Sequence, residues 1–174
     1  MDFKTKKFSR RDILFGLGRN FRQQDAAGAR TGFGWQAKEI DAQMRAGNYQ
    51  AAAETLERVL HKSPDHLQAR KNFGFCLLKT QRFAEAEKQF QMVLQDKQND
   101  PFALLYLGLA LVKQDRVAEA VSWWKGYFNP DQPIINRVLN MQTSLSDMGT
   151  LGSKEEIEKS VEIAIREQQA SDAL

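Results

Sequence analysis

The sequence predicts an all-α chain: an α-α superhelix (solenoid) of about three stacked helical hairpins, with C-terminal capping helices and a basic N-terminal tail. Three observations carry that prediction. ARKNFGFCLLKTQRFAEAEKQFQMVL, from Ala69, and ALLYLGLALVKQDRVAEAVSWWKGYF, from Ala103, align without a gap at a separation of 34 residues. Apolar residues within each recur at helical rather than strand spacing. The composition, 42% hydrophobic and 27% charged with only four prolines in 174 residues, is that of a folded chain rather than a disordered one.

The elements follow in chain order. Residues 1–32 form a basic tail and linker, with eight Lys and Arg against three Asp, whereas the rest of the chain holds 17 basic and 19 acidic residues. A basic head on a slightly acidic body argues for an electrostatic task in the head and against a nucleic-acid-binding body. Three repeats occupy 33–66, 67–100 and 101–134. Gly74 pairs with Gly108, Leu77 with Leu111, Ala86 with Ala120 and Phe90 with Trp124. Ala52, Leu56 and Val59 extend the register backwards, and Tyr49, Phe83 and Val117 share it, while Ile40 stands where the glycine is expected. The glycines and alanines let the two helices of a hairpin approach, and Phe90 and Trp124 fill the space beneath.

Residues 135–174 supply the cap. Val138, Met141 and Leu145 fall at helical spacing and match the apolar positions of a fourth first helix. Ser153 and Glu156 predict a capping box ahead of a helix with Ile157, Val161 and Ile165 on one face.

The spacing of Leu104, Leu107, Gly108, Leu111, Ala120 and Trp124, with Pro64 closing the first copy, resembles the tetratricopeptide repeat over residues 33–134. Gln98 and Gln132 depart from it where a closing proline is usual, although Pro101 and Pro133 stand nearby. The resemblance implies a non-enzymatic protein-binding adaptor without cofactors. It also implies which first-helix residues face the concave surface: Gln68, Lys71, Phe75, Leu78 and Lys79 in the second repeat, and Phe102, Leu105, Leu109, Val112 and Lys113 in the third. Ala37, Asp41, Met44 and Arg45 follow in the first. That surface is apolar with a few cations, which suits a client peptide or subunit offering hydrophobic anchors and a carboxylate. Alternatively Leu105, Leu109 and Val112 pack on a neighbouring helix, such as this chain's own tail. The two-carboxylate clamp found in some members of the family is not expected, because Ala37 and Asp41 occupy its first positions and Asn72 alone matches.

Other constellations are thin. Trp124 and Tyr127 belong to the core by register, leaving Trp123 and Phe128 as surplus aromatics that pack on the cap or bind a ligand. His61 and His66 flank KSPD without a third ligand at metal spacing, so no metal site is expected. Cys76, the single cysteine, reads as a buried, inert thiol.

In the head, SRRDIL (Ser9–Leu14) resembles the twin-arginine export motif, but the apolar stretch that should follow stops at Gly18 and Arg19. Read as a helix, Ile13, Leu14, Leu17 and Phe21 form a stripe, with Phe15 beside it, flanked by Arg10, Arg11, Arg19 and Arg22. This pattern predicts docking to an anionic membrane surface or a membrane-bound complex. The reading is therefore a prokaryotic adaptor for assembly of a respiratory or redox complex, cytoplasmic and peripheral at the membrane. Two alternatives stay open: a twin-arginine-exported or membrane-tethered periplasmic protein, and a self-associating scaffold.

Overall fold

The computed structural model describes residues 34–173. The described residues form eight α-helices and no strand: α1 Gly34–Arg45, α2 Tyr49–Lys62, α3 Leu67–Lys79, α4 Phe83–Asp96, α5 Pro101–Lys113, α6 Val117–Trp124, α7 Pro133–Asp147 and α8 Lys154–Ser171. Each helix packs on the next in sequence. Beyond sequence neighbours, α3 packs beside α5, and α5 beside α8, so the all-α solenoid has an inner row to which the last helix is added.

The 34-residue period is written into the backbone as well as the core. Gly47, Gln81 and Asp115, each 34 residues apart, follow α1, α3 and α5 with φ of 78°, 63° and 67°. In each case the residue's N–H reaches the carbonyl three back and the next N–H the carbonyl five back, as in Arg82 N–H to Leu77 O (2.9 Å) and Arg116 N–H to Leu111 O (2.9 Å). This left-handed cap satisfies the orphan carbonyls of the first helix and turns the chain into the second.

Gly74 and Gly108 each face the aromatic ring of the second helix of their hairpin. A methyl group added at Gly74 would lie 2.8 Å from Cε1 of Phe90, and one at Gly108 only 2.0 Å from Nε1 of Trp124. Both rings are fully buried, with Ala86, Ala120, Leu77, Leu107 and Leu111 packed in the same core. The prolines near the repeat boundaries serve helix starts, since Pro101 and Pro133 occupy the first turns of α5 and α7. Asp100 caps α5, accepting from Ala103 N–H at 3.0 Å.

Two features depart from the sequence reading. α6 has eight residues where α2 and α4 have fourteen. The chain turns at Lys125 and Gly126, and Tyr127 folds inward with its hydroxyl donating to Gln132 Oε1 at 2.6 Å. α7 buries Ile135, Leu139 and Gln142 most deeply, while in the expected stripe Val138 is half-buried against the core, Leu145 is half-buried and Met141 is exposed. The reason is that α7 packs on α6 and α8, whereas α8, not α7, lies close beside α5. α8 opens with the capping box, Glu156 N–H to Ser153 Oγ (3.3 Å) and Ser153 N–H to Glu156 Oε2 (2.9 Å). It buries Ile157, Val161 and Ala164.

Candidate binding cleft

The concave side carries a cleft of about 340 Å³ bounded by α3, α5, α8 and the first residue of α2. Its floor is aromatic and aliphatic: Phe75 and Leu78 from α3, Tyr106 and Leu109 from α5, Tyr49 from α2 and Ile165 from α8. Phe75 organises the floor, edge-on to Tyr106 at 5.1 Å and to Tyr49 at 6.0 Å between ring centroids. Phe102, half-buried, stands behind Tyr106 at 4.5 Å.

Charged residues line the walls. Lys113 Nζ donates to Glu158 and lies 3.5 Å from Glu162, tying α5 to α8. Burial pulls its ammonium pKa down, but the hydrogen bond and charge of Glu158 and the charge of Glu162 outweigh that and hold it above its ordinary value. Lys154, 3.7 Å from Asp115, makes a second tie between α8 and the end of α5. Lys79 Nζ sits 5.4 Å over the Phe75 ring. Arg166 Nε donates to the Glu162 carbonyl at 3.3 Å. Among the described residues neither Lys79 nor Arg166 has a carboxylate partner at ion-pair distance.

The sequence-predicted residues divide into two groups. Phe75, Leu78, Lys79, Leu109 and Lys113 come together in the cleft. Lys71, Leu105 and Val112 are buried instead. Lys71 Nζ is held 3.1 Å from Asp100 Oδ2 and 5.9 Å over the Phe102 ring, so its charge belongs to the junction of the second and third repeats. Gln68 and Asn72 are buried together, Gln68 Nε2 donating to Asn72 Oδ1 at 3.0 Å. The docking residues Arg10, Arg11, Ile13, Leu14, Phe15, Leu17 and Phe21 lie outside the described residues.

Reading by repeat position missed Tyr106 and the whole α8 wall of Glu162, Arg166 and Gln169. Tyr106 follows Leu105 directly, one step off the register used for concave positions. The α8 residues carry no repeat register, because that helix reaches α5 only through the turn of the last hairpin. The remaining candidates have structural occupations. His66 Nδ1 accepts from Ala69 N–H at 3.2 Å and caps α3, and His61 is exposed. Cys76 is fully buried, and that burial pushes its thiol up to about 12. Trp123 and Phe128 remain exposed, Phe128 at 73%.

The tetratricopeptide repeat family matches residues 43–106. The match runs from the end of α1 through α2, α3 and α4 into α5. It places the floor residues Tyr49, Phe75, Leu78 and Tyr106 within tetratricopeptide repeats. Such repeats indicate protein–protein interaction as the general role of the matched stretch.

Proposed function

We propose that this protein is a non-enzymatic adaptor that seats a segment of a partner protein in the cleft between α3, α5 and α8. The observation that carries the reading is the cleft itself: an apolar floor built from the inner helices of tetratricopeptide repeats, open to solvent and rimmed by a few charges. We further propose that the basic segment around Arg10 and Arg11 attaches the adaptor to a membrane surface or membrane-bound complex, on the cytoplasmic side, in assembly of a respiratory or redox complex. The charge and apolar stripe of residues 8–22 support this second part. No described helix is long and apolar enough to cross a membrane.

The cleft is tested with Leu78→Glu and Ile165→Glu, which alter half-buried floor residues. Both variants are expected to lose partner capture while keeping the wild-type helical circular dichroism; unchanged capture would remove the cleft from the function. The head is tested by flotation of the full chain with liposomes containing anionic lipid. Binding that falls with salt and with Arg10→Glu/Arg11→Glu supports lipid docking, and absence of binding rejects a membrane surface as the target.

A further inference from the structure

Resting on that adaptor reading, we infer that the cleft selects a partner segment in which a bulky apolar side chain stands within two residues of an Asp or Glu, and that α8 takes part in the selection through Arg166. The size of the cleft suits one large side chain with its adjoining main chain rather than a whole helix face. The chemistry of its lining then decides what stands next to that anchor.

Glu162, the one carboxylate of the lining, is already engaged at 3.5 Å with Lys113, the lysine that Glu158 also holds. Lys79 and Arg166, on opposite walls, remain without a carboxylate partner among the described residues. Below them, Tyr106 is nine-tenths buried and shares the lining with Tyr49. Burial raises the pKa of both phenols, with Tyr49 adding to the shift of Tyr106 and Cys76 to that of Tyr49, so both stay protonated and able to donate. Two cations and two phenolic donors around an apolar floor are complementary to a carboxylate beside an apolar anchor. A basic segment, such as that around Arg10 and Arg11, would instead set like charges against Lys79 and Arg166.

The position of Arg166 makes the site more than the repeats alone. It projects from α8, which is tied to α5 by Lys113 and by the Lys154–Asp115 pair. Selectivity thus depends on the last helix remaining seated.

The test is selection of displayed random heptapeptides on the full chain, on Lys79→Glu/Arg166→Glu, and on Ile165→Glu. Wild type should enrich peptides with Phe, Tyr, Trp, Leu or Met within two residues of Asp or Glu, and Ile165→Glu should lose them. A synthetic enriched peptide should bind the charge-reversed variant about tenfold or more weakly, the effect of one lost charge-assisted hydrogen bond. Its acid-to-Lys version should show the opposite preference. Peptides that depend on Ile165 but show no acidic preference, or that ignore the charge reversal, overturn this inference and leave the adaptor reading standing. If no peptide depends on Ile165, both fall. Saturable competition by a synthetic peptide of residues 8–21, or a dimer dissociated by Ile165→Glu, would assign the cleft to the chain itself and overturn the inference.

Discussion

Replacing Gly108 by alanine puts the close approach of α5 and α6 to the test. The new methyl would lie 2.0 Å from Nε1, 2.3 Å from Cε2 and 2.8 Å from Cδ1 of Trp124. Contact needs well over 3 Å, so the indole must retreat by more than 1 Å within a site where it is wholly buried. That retreat strains the core by about 1–3 kcal/mol and stretches the Trp124 Nε1–H bond to Leu105 O, now 3.3 Å, removing roughly 1 kcal/mol more. Alanine returns about 1 kcal/mol of helix propensity. The net loss is about 2 kcal/mol, or a melting temperature roughly 6 °C lower for a fold of this size. Gly74→Ala is the internal control: its methyl meets the edge of Phe90 at 2.8–3.2 Å, so that buried ring must also shift, but by clearly less than the indole of Trp124. Strain and propensity then nearly cancel, and the change should stay within about 1 kcal/mol. Urea denaturation of both variants, with Gly108→Ala/Trp124→Phe to close a double-mutant cycle, measures the difference. The cycle should show a favourable coupling of about 1 kcal/mol between the added methyl and the smaller ring. If Gly108→Ala is as mild as Gly74→Ala, or stabilises the protein, the hairpin is not held by this glycine–aromatic approach.

Three further outcomes follow from the same geometry. Gln81→Gly should stabilise the protein by up to about 1 kcal/mol in thermal unfolding, because exposed Gln81 holds φ at 63° where Gly47 stands one repeat earlier. Asp100→Ala should cost about 3–5 kcal/mol in urea, since it strands the buried Lys71 charge and removes the cap on Ala103 N–H, while Asp100→Asn keeps the cap and should cost less. Cys76 should resist iodoacetamide at pH 8 until the chain is unfolded, which timed alkylation with mass spectrometry reads directly. Its folded-state pKa lies above the unfolded value, so its contribution to stability is complete below about pH 8.5 and is lost as pH rises toward 12. Between about pH 8.5 and 10, before the raised phenols of Tyr49, Tyr106 and Tyr127 contribute in the same direction, stability should fall by about 1.4 kcal/mol per pH unit, and Cys76→Ala should flatten the slope there.

Much of the fold could be read from residues because its determinants are local and repeat. Gly74 and Gly108 each precede their aromatic partner, Phe90 or Trp124, by half a repeat, so each pair shows itself in a single 34-residue unit. The Ser153–Glu156 box is likewise a four-residue signal. What escaped were long-range choices made by packing. Register alone puts Lys71 on the concave face, yet Asp100, 29 residues later, takes its charge. Register puts Met141 at a buried position of one more first helix, whereas α6 ends early and α7 packs on α6 and α8 with Met141 outward.

The same long-range choice shapes the candidate site. Had α7 continued the inner row, the apolar residues Leu105, Leu109 and Val112 would meet a helix whose buried face is Ile135, Leu139 and Gln142. With α8 there instead, the row ends in a helix that carries Glu158 and Glu162 one turn apart, facing Lys113. Those two carboxylates occupy Lys113 and leave Lys79 on α3 and Arg166 on α8 without a carboxylate partner among the described residues. The last hairpin therefore does more than cover an apolar end. By consuming one lysine and contributing one arginine, it changes which charge pattern the cleft can accept, and swapping Glu158 and Glu162 for glutamine should release Lys113 and strengthen the preference for acidic segments. A binding titration with the enriched peptide measures that shift: tighter binding by the doubly substituted protein supports Glu158 and Glu162 as determinants of the charge preference, and unchanged binding confines the contribution of α8 to Arg166.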